Sequence, residues 1–276
     1  SVCHILPAVP LVFENDTSLS KEDRARLRAL EHKNLQTAEK GLTEAKALLM
    51  AKGFREDKIH TVYRKRETHL SKDIFRHAEA RKADAILATR RGKTEVKDLF
   101  MGETCRNLVE YCQDMPVWVL GGHVRSNRVL IGVDTSKNAL RAVDHAGFML
   151  TGTQSRITLF HAIKSFGGFF SSDEREETPE LEDAWRKKAG AEITPVLEKA
   201  NAMLLKAGIP AENITIQVVE GSRSPANDIL REAKEDHYGT IVLGRRGISM
   251  IKELFMGSVS NQVLRQSDGF AVWIVQ

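Results

Sequence analysis

Thr240-Ile241-Val242-Leu243-Gly244-Arg245-Arg246-Gly247, followed by Lys252-Glu253-Leu254-Phe255-Met256-Gly257-Ser258, decides the fold because most of it occurs twice. Arg90-Arg91-Gly92 and Lys97-Asp98-Leu99-Phe100-Met101-Gly102 are the earlier copy, with one offset of 155 residues carrying Gly92 onto Gly247. The same offset takes Val117-Trp118-Val119 to Val272-Trp273-Ile274, Gly53 to Gly208 and Asp73-Ile74 to Asp228-Ile229. A solenoid unit repeats every 20 to 50 residues or so, so a period this long marks a duplicated domain. The polar, Gly-containing run Gly121-Gly122-His123-Val124-Arg125-Ser126-Asn127 reads as the linker. Two domains are therefore expected, over residues 1–121 and 127–276.

Within the second copy apolar strand patterns alternate with helical ones. Strands are expected at 128–133, 157–161, 214–219, 240–243 and 270–275, and helices from about 138 to 150, 183 to 207, 224 to 233 and 258 to 266. Strictly alternating strands and helices predict an α/β fold, two doubly wound parallel sheets of five strands each, with right-handed crossovers. The first copy breaks the rule at its start. Val2-Cys3-His4-Ile5 aligns with Leu159-Phe160-His161-Ala162, so the opening strand and helix of that copy have no equivalent in this chain. That strand would be central, and its loss would split a sheet and expose backbone groups. A segment of the intact protein absent from this sequence, or another element filling the gap, would each account for it.

Composition narrows the function classes. The 276 residues are 42% hydrophobic, and no apolar run approaches the roughly 20 residues that a membrane helix needs. The first ten residues lack the basic flank of a secretory signal, so a cytoplasmic location without a membrane partner is expected. The net charge is +4, but Lys and Arg are interspersed with acids, which argues against a nucleic-acid partner. Cys3, Cys105 and Cys112 form no CxxC pair. Cys105 and Cys112, seven apart on one expected helix, read as core thiols and not as redox groups.

The spacing Gly244-x-x-Gly247-x9-Gly257-Ser258 has a chemical reading. Glycines at a strand's carboxyl end let a ribose or phosphate approach bare backbone. A helix opening at Gly257-Ser258 offers free N–H groups and a positive dipole end to phosphate oxygens, with the Ser258 and Ser260 hydroxyls as further donors. Tight turns and an ordinary helix cap are the competing reading of any one of these residues. Asp134 is a candidate helix cap. His161 is read as a packed strand-end side chain, and Gly221 as a turn residue or a pocket wall.

Taken with Val133-Asp134-Thr135-Ser136 at the end of the first strand, the full motif resembles that of the ATP-binding branch of the universal stress protein family, over essentially the whole second half. The resemblance implies an adenine nucleotide, ATP or else ADP or AMP, with Mg²⁺ as its natural companion. It places the base near Val133, Asp134 and Ala162, the ribose near Gly244 and Gly247, and the phosphates at Gly257, Ser258, Val259 and Ser260. It further implies that the copies pair through their last strands, 117–120 and 271–275, as an internal pseudodimer, with homodimerisation an additional expectation.

The first copy departs from the motif where it matters. Thr89 stands for Gly244, Glu103 for Ser258 and Arg66 for Gly221. A carboxylate at the helix start repels a phosphate, so this copy is expected to be nucleotide-free. Arg66, Arg90 and Arg91 could complement another anion, or simply be solvated. Insertions at about 8–22 and 165–182, the second with Phe166, Phe169 and Phe170, read equally as lids, partner surfaces or loops. A regulatory nucleotide binder is thus the leading expectation. Against an enzyme, the chain has no P-loop and no glycine-rich phosphate loop of the ATP pyrophosphatase kind after its first strand, and it shows no nucleophile–base set. Slow ATP hydrolysis and a nucleotide-free scaffold are the rival readings.

Overall fold

The computed structural model describes residues 1–8, 13, 19–90, 102–166, 179–247 and 256–276. The expectations that rest on Arg91, Gly92, 97–101, 252–255, Phe169 and Phe170, and on most of both insertions, lie outside these residues. The chain forms two compact units, Ser1–Lys82 and Ala83–Gln276.

In the first unit, β1 (Val2–Leu6) and β2 (Thr61–Lys65) make a parallel pair, with Val2 opposite Thr61. Between them runs α1 (Lys21–Ala51), capped by Ser20, whose hydroxyl accepts from the Asp23 amide. Gly53 then takes φ +91, the left-handed conformation that ends a helix without a Cβ penalty. Helix α2 (Leu70–Ala80) follows, and buried Asp73 accepts from the Glu67 and Thr68 amides and the Thr68 hydroxyl, closing the turn into it.

The second unit is built on a seven-stranded sheet. Its strands are β3 (Ile86–Thr89), β4 (Val117–Leu120), β5 (Arg128–Gly132), β6 (Arg156–Lys164), β7 (Ile214–Ser222), β8 (Thr240–Gly244) and β9 (Ala271–Val275), in the order β3-β4-β9-β8-β5-β6-β7. All neighbours are parallel except β4 and β9. The last five strands of that order are the doubly wound sheet expected of the second copy. Strands β8 and β9 are buried along their whole length, which is why they read as continuous apolar runs without alternation. The four strands of the first copy divide two and two between the sheets, as the lack of a counterpart to β5 requires: β5 is the strand that joins β8 to β6.

Among the described residues five helices complete this unit: α3 (Glu103–Tyr111), α4 (Lys137–Leu150), α5 (Pro179–Lys206), α6 (Pro225–Glu235) and α7 (Ser258–Gln266). Helix α4 starts on Ser136, whose Oγ accepts from the Ala139 amide. It turns Ala139, Ala142, Val143, Ala146 and Leu150 into a core with Ile131, Leu159, Ile193, Leu204 and Val242, the 3–4 spacing of a buried stripe. Helix α6 has Ser224 as cap and Pro225 at its first position, where a missing N–H costs nothing.

Strands β4 and β9 pair antiparallel, Trp118 opposite Trp273. The two residues are duplicates of each other, so the local dyad of the repeat runs between them. Their indoles stack at 3.9 Å and 4°, and Trp118 Nε1 donates to His145 Nε2 at 3.1 Å. On either side each copy's strand-end arginine reaches the other copy's last helix. Arg245 Nη1 donates to the carbonyls of Val109 (2.7 Å) and Cys112 (2.8 Å), and its Nη2 to Glu110 (2.7 Å). Arg90 donates to the Arg265 carbonyl and, at 3.1 Å, to Asp268 Oδ1. Glu110 and Arg265 are duplicates too, so the caps are reciprocal. Cations at helix carboxyl ends meet both orphan carbonyls and the negative dipole end.

Two expectations change here. Arg90 is 2% exposed and Arg245 3%, so Arg90 is a buried helix cap and neither a solvated group nor part of an anion site. Gly121, expected in a linker, donates to the Phe270 carbonyl at 2.8 Å, and a Cβ there would lie 2.3 Å from the Ser267 oxygen. The join between the repeats is packed against the second copy. Cys105 and Cys112 are buried, and burial pushes their thiols up to about 11 and about 12, which leaves them protonated and inert at neutral pH.

Arg245→Met keeps the stem and removes three carbonyl bonds, so urea unfolding should show a loss of about 2–4 kcal/mol; an unchanged midpoint would contradict the cap. Burial also holds His145 below its ordinary 6.5, with Asp84 and Asp144 opposing. A depressed histidine binds fewer protons folded than unfolded, so its contribution is whole above 6.5 and is lost as pH falls toward the folded value. The urea midpoint should therefore drop between pH 7 and pH 5, less steeply in His145→Gln. Equal slopes would assign the acid sensitivity elsewhere.

Candidate functional site

Parallel strands of one sheet release their chains at a common edge, and at the carboxyl ends of β5, β6 and β8 those chains enclose a cavity of about 460 Å³. Val133 to Ser136 leave β5 along one side, and His161 to Lys164 form the end of β6. Gly244 ends β8, Arg246 and Gly247 follow it, and Gly257 precedes Ser258 to Ser260 at the start of α7. All nine expected site residues line this space: Val133, Asp134, Ala162, Gly244, Gly247, Gly257, Ser258, Val259 and Ser260.

The glycines have different physical reasons. A Cβ on Gly244 would stand 2.7 Å from the Asn138 carbonyl carbon and 2.9 Å from the Ala139 nitrogen. Its bareness lets β8 meet the first turn of α4, a packing demand and not a ligand demand. A Cβ on Gly247 would fall 2.3 Å from Asp134 Oδ2. On Gly257 it would meet only backbone of Arg245, Arg246 and Gly247, at 3.3 to 3.4 Å. Gly257 is the N-cap residue of α7, and no side chain caps that helix. Among the described residues, then, no side chain takes up the first amides of α7. The Gly257 amide itself donates to the Arg245 carbonyl at 2.8 Å, so the cap buried under the other copy also fixes the floor of the cavity.

The serines part company. Ser258 is exposed at the mouth. Ser260 is buried and gives its hydroxyl proton to the Gly244 carbonyl at 2.7 Å, so it is no donor to a phosphate, contrary to the expectation. Its amide remains in the helix's first turn.

Asp134 does not cap α4. Its Oδ1 accepts from the Ser136 amide at 2.9 Å, a short side-chain turn that delivers Ser136 as the cap. Ser136 Oγ also donates to the Arg246 carbonyl at 3.2 Å, fastening the β5 loop to the β8 loop. His161 Nδ1 donates to the Val133 carbonyl at 2.7 Å. Burial pulls its pKa down, with that bond and Asp134 opposing, so the ring is a neutral strut carrying its proton on Nδ1. Gly221 lies outside the lining. Its φ of +69 accommodates an irregularity where β7 gains a residue against β6, between Ala162 and Lys164.

Helix residues completing the cavity were not singled out in the sequence: Trp185, Ala189, Glu192 and Ile193 of α5, and Pro225 and Ile229 of α6. The spacing along α5 is that of one helix face and was legible as amphipathicity, but not as a site. Among the described residues, no group of three or more His, Cys, Asp or Glu could hold a metal ion, and no helix is long and apolar enough to cross a membrane. In the first copy, α3 opens on Gly102 with Glu103 in its first turn; residues 91–101 of the corresponding loop are outside the description.

Fold and site together define a doubly wound α/β protein with a strand-end pocket closed by a glycine-led helix. The universal stress protein family matches residues 2–120 and again 126–276. The chain belongs to that family, as a tandem member. Universal stress protein YxiE of Bacillus subtilis (strain 168) is 30% identical over 148 residues, covering 51% of this chain and 93% of its own length. A universal stress protein crystal structure from Archaeoglobus fulgidus DSM 4304 covers 99% of this chain and 97% of its own, with a TM-score of 0.58 at 18% identity. A universal stress protein solved in complex with cAMP is 26% identical, covering 54% of this chain and 95% of its own, at a TM-score of 0.38.

The glycines separate experimentally. Gly244→Ala forces backbone against backbone and should cost roughly 1–3 kcal/mol in urea unfolding. Gly257→Ala, at φ −60 and tight but not overlapping contacts, should stay within about 1 kcal/mol of the parent. Equal losses would refute the division.

Proposed function

We propose that the cavity of the second half holds an adenine nucleotide, ATP before ADP or AMP, and that the chain acts as a nucleotide-responsive regulatory protein of the stress response. The observation that carries this reading is the convergence of nine motif residues, far apart in sequence, on one cavity whose floor is an uncapped helix start. Phosphates would take the first amides of α7 at Ser258, Val259 and Ser260, where peptide dipoles favour negative charge. Gly257 leaves the backbone of Arg245 to Gly247 uncovered beside that helix start, so the residues present fit such a group. The ribose would lie over Gly247, and the base beside Val133, Asp134 and Ala162. Mg²⁺ would come with the nucleotide, held by phosphate oxygens and water and not by a protein cluster.

A regulatory role is favoured over turnover because Asp134 and His161, two ionisable groups of the lining, are already engaged in structure. Asp134 shapes a turn and His161 is a strut. The functional units would be residues 1–121 and 127–276, with Glu103 keeping nucleotide from the first, and the setting would be the cytoplasm without nucleic-acid or membrane partners.

Titration calorimetry with ATP should show one site per chain, and Gly257→Asp, which puts a carboxylate at the cradle, should abolish it with the melting temperature kept. Mass spectra of small molecules released from the purified protein should contain an adenine nucleotide. No heat from ATP, ADP or AMP, or equal binding by Gly257→Asp, would overturn the reading; fast release of inorganic phosphate would make the protein an enzyme.

A further inference from the structure

We propose that the first unit is a docking surface for one kind of partner, a parallel strand running directly into a helix, which lies along β1 and over α1 as β5 and α4 lie along β6 and over α5. The second copy is the template, and register aligns the two. Val2 stands opposite Thr61 as Leu159 stands opposite Ile216, the duplicate of Thr61. Cys3 therefore takes the place of Phe160, whose carbonyl accepts the Val133 amide of the chain leaving β5 at 2.8 Å. Among the described residues β1 has β2 as its one neighbour, so the main-chain groups of Cys3 and Ile5 on its other edge are the ladder that an added strand completes. His4 contributes a side chain to the same edge. Its duplicate, His161, donates to the Val133 carbonyl, and no described residue hydrogen-bonds the His4 ring.

The helical half of the partner is read from α1. In the second copy Ala200, Met203 and Leu204 of α5 pack in one core with α4, and Ala200 and Leu204 are wholly buried. Their duplicates on α1 are uncovered, with Ala45 and Leu49 half-buried and Leu48 67% exposed. A Cβ on Gly147 of α4 would stand 3.5 Å from Leu204, so the approach is close and the partner helix needs small residues on its contact face. Charge sets the residue that opens the strand. Arg128, the first residue of β5, donates to Asp236 at 3.2 Å, just beyond the end of α6. Asp236 and Glu232 of the second copy are Arg81 and His77 in the first. With the sign inverted, the fitting strand opens on an acid where β5 opens on an arginine.

The probes are two synthetic peptides of residues 127–151, one unchanged and one carrying Arg128→Asp, added to the full chain. Hydrogen–deuterium exchange at the Cys3 and Ile5 amides is the readout. Both peptides should slow exchange there at saturation, and the Arg128→Asp peptide should do so at a concentration about threefold lower, the worth of an exposed ion pair. Arg81→Glu in the chain should reverse that order. Leu48→Glu changes an exposed side chain and should leave the melting temperature of the chain where it was, yet weaken both peptides on the order of tenfold, since it removes one apolar contact of the helix. No slowing at Cys3 and Ile5, slowing that Leu48→Glu leaves untouched, or slowing confined to β6 and β8, where the peptide would be exchanging with β5, would each overturn the proposal. None of these outcomes bears on the nucleotide cavity, which belongs to the second unit.

Discussion

The guanidinium of Arg245 sits between two glycines of the motif and is spent on the other copy. Its Nη bonds to the carbonyls that end α3 offset the cost of burying the cation, while Nε stays buried without a hydrogen-bond partner. Because the Arg245 carbonyl accepts the Gly257 amide, the residue that anchors the interface also fixes the start of α7. Arg90 does the reciprocal work at the end of α7. The pairing of β4 with β9 and the Trp118–Trp273 stack lie between these caps. One residue thus belongs both to the seam between the copies and to the start of α7.

The cavity follows from the same economy. Parallel strands end together, so loops that are distant in sequence become neighbours at one edge. The Ser136–Arg246 and Ser260–Gly244 bonds then fasten those loops to each other and to the strand below. Among the described residues no side chain caps the first turn of α7. Asp134 and His161, two ionisable groups of the lining, are absorbed into this scaffolding.

The two copies use one plan with different local chemistry. Lys82 and His237, duplicates in the repeat, both take positive φ, at 51° and 54°, so even this strained position survived duplication. Asp73 and Asp228 are both buried, yet Asp73 closes its turn with three bonds whereas Asp228 faces Arg231 at 2.8 Å. The backbone frame is shared, and the side chains at the strand ends diverge.

The order of strands and helices, the five-stranded plan of the second copy and the glycine–serine run of the pocket were written in local patterns, the duplication in an offset of 155 residues, and the places of Val133, Asp134 and Ala162 only in the family resemblance. Periodicity, caps and the spacing of glycines act within a few residues and are visible one residue after another. The reciprocal arginine caps, the packing role of Gly244, the spent hydroxyl of Ser260 and the wall supplied by Trp185 were decided only in three dimensions. Each depends on which carbonyl or backbone stands opposite, and such partners lie from 16 residues along the chain for Ser260 to more than 130 for Arg245. A sequence states what a side chain can donate; the fold alone states to whom.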